Sequence, residues 1–259
     1  RIIKKTKVIA IANKESIICG WSLIKKRLKK YKTRFIPVDS EHFSIWSEIK
    51  DMNSSKIQEV IITASGGPFF NLKNKKIKKT PKLATNHPNW KMGKKISTDS
   101  ANLMNKVFEV IEAKKIFDID LKKFNIWIHP KSYVHAIIKF KNGLIKLIAH
   151  ETDMRIPIFN SIYNNNIKTF NSKKININFL NNLNFSKVDP KQYPLINILK
   201  KIPKNETLFE TILVSVNDEL VKLFLKEKIS FEDISIFLNR ILNNNIFSKY
   251  RLKKVNNFK

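Results

Sequence analysis

A multidomain fold of α/β and α+β character follows from three features of the sequence. "TKVIAIA" (Thr6–Ala12) and "TRFIPV" (Thr33–Val38) are short apolar, β-rich runs around an amphipathic helical stretch near Ser22–Tyr31, a β-α-β rhythm that implies parallel strands. "EVIITASGGPF" (Glu59–Phe69) takes an apolar strand into a glycine turn. "NIWIHP", "VHAIIKF" and "LIKLIAH" then read as an antiparallel group turning at Lys141-Asn142-Gly143. From Tyr193 onward helix-period stripes dominate, which predicts a small C-terminal helical bundle. Asn164–Lys187, rich in Asn and Lys without firm periodicity, reads as a linker.

A length of 259 residues allows one large domain or two ordinary ones, with chain enough for a sizeable core. Cys19 is the single cysteine, which excludes an internal disulfide, and no Cys/His cluster has zinc spacing. A reducing compartment, the cytoplasm, is therefore expected, with Cys19 as a small buried hydrophobe. No apolar run approaches the roughly 20 residues of a bilayer span and no segment has signal-peptide order, so a soluble chain is expected. The first residue is Arg1 rather than Met, which leads to the expectation that something has been removed or left out ahead of it.

The net charge of +29 would ordinarily direct attention to nucleic acid. The lysines are spread through every segment beside many Asn, Ile and Phe, the residues of A- and T-rich codons, so base bias accounts for them as well as a ligand does. Neither nucleic acid nor membrane is expected as a partner. The densest runs, Lys25–Lys32 and Lys75–Lys82, read as solvated faces.

Four stretches carry chemistry. In "FIPVDSEH" the acids Asp39 and Glu41, two apart at the end of an apolar run, project to one face of an extended strand with Ser40 opposite or turned into the loop. A hard divalent cation between them and a chance pairing both fit that spacing. "KKISTDSANLMNKVFEVIEAKKIF" opens with a Ser-Thr-Asp-Ser cluster suited to capping a helix. On that helix Leu103, Met104, Val107, Phe108 and Ile111 form one stripe, and Asn105, Glu109 and Glu112 line the other. That second stripe is either a solvated face or, with Ser100, Asn105 and Lys106 near the first turns, a phosphate site. "TASGGPF" sets Ser65 beside two glycines that permit close backbone approach or simply a tight turn. "TNHPNWKMGKK" holds His87 and Trp90 between prolyl and glycyl hinges, as a surface loop or a substrate lid.

The words "ANKES" (Ala12–Ser16), "PVDSEH" (Pro37–His42), "TASGGPF" (Thr63–Phe69), "HPNWKMGKKISTDSANLMNK" (His87–Lys106), "EVIEA" (Glu109–Ala113), "HPKSYVH" (His129–His135) and "DMRIPI" (Asp153–Ile158) resemble, in order and spacing, the 1-deoxy-D-xylulose 5-phosphate reductoisomerase family of the non-mevalonate isoprenoid pathway. The resemblance implies NADPH- and metal-dependent rearrangement and reduction of 1-deoxy-D-xylulose 5-phosphate, a sugar phosphate, to 2-C-methyl-D-erythritol 4-phosphate. It implies Asp39, Glu41 and Glu109 as ligands of Mn²⁺, Mg²⁺ or Co²⁺, and Ser65, Ser100, Asn105 and Lys106 as phosphate contacts. Lys14 and Ser40 become substrate contacts, with Lys14 near the reacting oxygens. His87 becomes a substrate contact in a flap covered by Trp90 and Met92, Asn13, Glu15 and Gly93 touch the cofactor, and Glu112 and His135 stand behind the site. A homodimer is also implied.

The same resemblance implies a remnant of a Rossmann-like domain over residues 1–38, an α+β catalytic domain with a mixed sheet and flap over 39–163, a linker over 164–190 and a helical domain over 191–259. The family's Gly-x-Thr-Gly-x-x-Gly turn has no counterpart here, so a dinucleotide-binding part is expected to be missing. Two further departures stand out. Val107 replaces the Gly of Asn-Lys-Gly, and His150 and Thr152 replace the Gly and Pro of Gly-x-Pro-Asp-Met. The competing expectation is a degenerate, inactive remnant or a basic interaction protein.

Overall fold

The computed structural model describes residues 2–72, 77–163 and 168–255. Strand β1 (Val8–Ile11), helix α1 (Lys14–Tyr31) and strand β2 (Arg34–Pro37) form the expected β-α-β unit, with β1 and β2 paired in parallel from Val8↔Arg34 to Ile11↔Pro37. Helix α1 is longer than the stripe near Ser22–Tyr31 implied, because Asn13 caps it by accepting the Ser16 N–H. It is broken at Gly20, whose φ of −140° is non-helical.

Helix α2 (Ser40–Ile49) leads to strand β3 (Ile57–Ala64), and the short helix α3 (Pro81–Ala84) precedes α4 (Lys94–Ala101) and α5 (Met104–Phe117). Strands β4 (Phe124–Ile128), β5 (Val134–Phe140) and β6 (Ile145–Ala149) follow, then helices α6 (Arg155–Ile162) and α7 (Ile177–Leu180) and strand β7 (Ser186–Lys187). The second sheet runs β6-β5-β3-β4-β7 and is mixed. Here the antiparallel grouping needs correction. Strands β5 and β6 do form a hairpin through Gly143 at φ +88°, but β4 pairs with β3, in parallel, and never with β5. Helix α5 supplies the crossover that a parallel β3–β4 pair requires.

The stretch read as a linker is not bare. Within it α7 forms and β7 pairs with β4 through Trp127↔Lys187, while residues 164–167 lie outside the described residues. The chain ends in helices α8 (Leu208–Leu225), α9 (Phe231–Leu242) and α10 (Asn245–Arg251), α8 and α9 each opened by a capping box.

Two packing layers enclose α5. Val110 and Ala113 pack on the sheet with Val60, Ile62, Ala136 and Ile138, while Met104, Val107, Phe108 and Ile111 pack on Leu213, Phe224 and Ile234 of the C-terminal helices. The α5 face carrying Glu109 and Glu112 is buried rather than solvated. Cys19 is half-buried at the rim of that core, its thiol pKa raised by burial.

The glycine turn after β3 sets the spacing between the sheet and α4. Gly66 and Gly67 lie at φ +83° and +67°, and a Cβ on Gly67 would stand 2.8 Å from the Ala101 Cα and 3.0 Å from the Ser100 carbonyl oxygen. Gly67→Ala is therefore expected to lower folding stability by about 2–4 kcal/mol, as left-handed strain and overpacking combine. Urea denaturation of the variant checks this.

Candidate functional site

The turn that brings β3 against α4 also opens a cavity of about 300 Å³ between the N-termini of α1 and α2, the β3 exit and the start of α5. Asp39 and Glu41 reach it by a route different from the strand alternation expected. Strand β2 ends at Pro37, and Asp39 is the N-cap of α2, its side chain accepting the Glu41 N–H at 3.2 Å. Glu41 lies in the first turn, where acids favour the positive end of the helix dipole. A cap residue folds back over that turn, so both carboxylates still face one way, and Ser40 joins them by donating to Glu41.

Glu109 comes down from α5, and carboxylate oxygens of Asp39, Glu41 and Glu109 lie within 4.8 Å of one another. Two ammonium groups thread this cluster. Lys14, the first residue of α1, donates to Asp39 at 2.7 Å and stands 3.6 Å from Glu109 and from Glu112. Lys106 bridges Glu41 and Glu109, the latter at 2.7 Å, and Asn105 also donates to Glu109. Burial works against the Lys14 and Lys106 ammonium groups, but the surrounding carboxylates outweigh it and hold both pKa values above the ordinary range. Burial likewise works against the Asp39 and Glu41 carboxylates. Lys14 and His42 nevertheless hold Asp39 well below its usual value, and Lys106 lowers Glu41. Glu109 goes the other way, pushed up to about 7 by burial and the Glu41 charge.

His42 was not singled out from the sequence, although it follows Asp39-Ser40-Glu41 directly. It is fully buried, with Nε2 on the Glu109 carbonyl at 2.8 Å and Nδ1 3.3 Å from both Asp39 and Glu112. Burial disfavours its charge, but Glu112 and then Asp39 outweigh that and raise its pKa to about 9. Glu112 lies behind the cavity and acts on it through His42 and Lys14.

The other side of the cavity gathers donors. Ser65 follows β3, and its Oγ meets His87 Nε2 at 2.9 Å while accepting the Gly67 N–H. His87 Nδ1 accepts the backbone N–H groups of Asn89 and Trp90, so the proton of the neutral ring sits on Nε2 and points at Ser65. Burial, with Lys106 nearby, lowers the His87 pKa to about 4. The Ser-Thr-Asp-Ser cluster does not cap a helix. Gly93 is the N-cap of α4, and Ser97–Ser100 form its later turns. Ser100 reaches the cavity because the helix stops at Ala101. Asn102 accepts the Met104 N–H, and buried Leu103 takes a left-handed φ of +62° before α5 begins.

Asn13, Glu15, His87, Trp90, Met92 and His135 all line the same cavity, whereas Gly93 borders a separate surface hollow along residues 85–93. Trp90 meets His135 edge-on at 6.1 Å. Glu15 is tied by Lys95, itself paired with Asp99 and Asp218, a network invisible in the linear motif.

Residues 35–117 match the model described as 1-deoxy-D-xylulose 5-phosphate reductoisomerase C-terminal domain, and residues 150–258 match that of the DXP reductoisomerase C-terminal domain. The 1-deoxy-D-xylulose 5-phosphate reductoisomerase of Pelagibacter ubique is 60% identical over 257 residues, 99% of this chain and 66% of the relative. That of Persephonella marina is 38% identical over 96% of this chain and 66% of its own length. A Zymomonas mobilis reductoisomerase in complex with NADPH superposes with a TM-score of 0.87 at 31% identity, covering 98% of this chain and 65% of that one. A DOX-P reductoisomerase in complex with NADPH, fosmidomycin and magnesium gives 0.84 at 30% identity, covering 96% and 64%. The chain thus spans about two thirds of the length of the proteins it matches.

The histidines set opposite pH dependences. Stabilisation from the His42 imidazolium, facing Asp39, Glu112 and Lys14, is fully present below the unfolded value near 6.5 and is lost as pH rises through about 9. Burial of His87, and of His135, whose pKa is lowered to about 3 by burial and His150, removes stability as pH falls from about 6.5 toward 4. Urea midpoints are expected to peak near neutrality, and His42→Gln is expected to flatten the alkaline limb while leaving the acidic one.

Proposed function

Because the chain belongs to the 1-deoxy-D-xylulose 5-phosphate reductoisomerase family, we propose that its buried cavity binds a divalent metal and 1-deoxy-D-xylulose 5-phosphate for NADPH-dependent isomerisation and reduction to 2-C-methyl-D-erythritol 4-phosphate. The observation that carries this reading is the convergence of Asp39, Glu41 and Glu109 from two helices to within 4.8 Å. The donor set suits a hard cation, since all three residues offer carboxylate oxygens. Local charge agrees, because the acids Asp39, Glu41, Glu109 and Glu112 face only Lys14, Lys106 and His42 as paired cations. Mg²⁺, Mn²⁺ or Co²⁺ held there supplies Lewis-acid polarisation of the substrate carbonyl and hydroxyl oxygens.

The chain's own residues divide the remaining work. Ser65, Ser100, Asn105 and Lys106 hold the phosphate, with Lys106 joining the phosphate side of the cavity to the carboxylates. Neutral His87 donates from Nε2 and, with Trp90 and Met92, covers the substrate and excludes water. Lys14 holds its ammonium beside the reacting oxygens, stabilising negative charge that develops there. Ser40 supports Glu41, while Glu112 and His42 keep Asp39 in place. Asn13 and Glu15 on the cavity, and Gly93 on the adjoining hollow, face the nicotinamide, and His135 braces the flap through Trp90.

Residues 1–38 read as the end of the dinucleotide-binding domain, 39–163 as the catalytic domain, 164–190 as the connection and 191–259 as the helical domain. For the homodimer, edge strand β6 exposes Ile145 and Leu147, and α6 exposes Ile158 and Ile162, apolar side chains suited to contact with a second copy.

Calorimetry with fosmidomycin and Mg²⁺ tests the site. Binding that requires Mg²⁺ is expected, with Glu109→Gln weakening the metal at least ~10-fold, or ~1.4 kcal/mol, and Ser100→Ala weakening fosmidomycin with metal affinity kept. A chain that binds neither ligand sinks the reading. Turnover is tested by NADPH oxidation with 1-deoxy-D-xylulose 5-phosphate and Mn²⁺, on the 259-residue chain and on a version extended by its upstream codons. Sedimentation velocity tests the dimer, with Leu147→Glu expected to give monomer.

A further inference from the structure

The break in α1 sits between two cores. Ile18 packs in the main core with Phe108 and Ile111, whereas Ile17, Trp21, Ile24 and Leu28 pack under β1 and β2 with Ile9, Ile11 and Phe35. A helix that continued through Gly20 would bond the Ser22 N–H to the Ile18 carbonyl. Gly20, at φ −140° and ψ 22°, lies between these two groups and interrupts that geometry, and a donor or acceptor left unpaired away from water is costly.

Both are captured by side chains from elsewhere. Lys115 of α5 donates from Nζ to the Ile18 carbonyl at 2.6 Å, and Glu206, just ahead of α8, accepts the Ser22 N–H at 3.0 Å. The two captors pair with each other, Lys115 standing 3.7 Å from Glu206 and 3.4 Å from Glu210. Lys115 and Glu210 are buried, so this ion cluster forms a bridge at the break that joins α1, α5 and the C-terminal helices. The segment it anchors, residues 14–19, begins with Lys14.

We propose that Lys115 is a positioning residue: by holding the Ile18 carbonyl at the α1 break, it fixes the short leading segment of α1 and so aims Lys14 at Asp39, Glu109 and Glu112. The inference rests on the proposed function for its catalytic meaning, but its geometry is tested separately. Lys106 is the internal control, because it shares Glu109 with Lys14 yet belongs to α5 itself.

The experiment is trace acetylation of the folded 259-residue chain with acetic anhydride, quantified at Lys14 and Lys106 by mass spectrometry. Lys115→Met is expected to raise Lys14 labelling at least about 5-fold with Lys106 unchanged, and Lys115→Arg to restore protection. Amide exchange at Ser22 should quicken in the Met variant. Unchanged Lys14 labelling in a folded Lys115→Met protein overturns the proposal. Should Lys115→Met expose both lysines, marking general unfolding, Glu206→Gln decides: a selective rise at Lys14 supports the proposal and no rise refutes it. None of these readouts depends on substrate, so the absence of fosmidomycin binding would count against the proposed function alone.

Discussion

A helix enclosed on every side cannot carry an unpaired charge, and α5 is such a helix. It has the sheet on one flank and α8 and α9 on another, yet it buries Lys106, Glu109, Glu112 and Lys115. Desolvation makes each of these charges expensive unless a partner stands beside it. The partners come from elsewhere in the chain: Glu41 for Lys106, Lys14 for Glu109, His42 for Glu112, and Glu210 with the Ile18 carbonyl for Lys115. The positions of α1, α2 and α8 around α5 are thus tied to charge pairing as well as to apolar packing.

The spacing of these residues explains why one helix serves two places. Each is three positions after the last, and three residues fall about 60° short of a full turn, so the charged row winds around the helix. It starts at the cavity with Lys106 and Glu109, passes behind it at Glu112 and ends at the α1 break with Lys115. Near the cavity, where Asp39, Glu41, Lys14 and His42 meet the row, four acids stand against three cations, and burial together with the Glu41 charge lifts Glu109 to about 7. Binding a dication there would relieve the repulsion among the three converging carboxylates, which is how a buried acidic cluster and a hard metal stabilise one another.

Much of this was legible in the sequence because local chemistry announces itself. The β-α-β rhythm, the Asn-Gly hairpin and the strand before Ser65 all appear where their residues placed them. Nearly every candidate side chain lines one cavity, Gly93 and Glu112 excepted. The errors came from non-local pairing and from helix ends. Nothing local distinguishes β4 as the parallel neighbour of β3, since the crossover through α5 decides it. Asp39-Ser40-Glu41 reads equally as strand end or helix start, and the cap is settled by which backbone N–H needs an acceptor. His42 and Lys115 gave no signal because a buried charge is recognised by partners distant in the chain.

Two of the departures from the family pattern, Val107 and His150, are absorbed by packing. Val107 is fully buried among Met104, Phe108 and the C-terminal helices, so its side chain fills core volume on the face of α5 turned away from Glu109. His150 lies against His135 with ring centroids 3.7 Å apart, and its backbone carbonyl meets His135 Nε2 at 3.2 Å. A glycine at 150 would keep that carbonyl but offer no ring. The imidazole therefore extends the contact from Trp90 through His135 to the end of β6, burying His135 more deeply and holding its pKa down to about 3. Burial first, and the His150 ring beside it second, thus favour an uncharged His135 on the wall of the cavity, where a charged imidazole would alter the balance that Glu41 and Lys106 set.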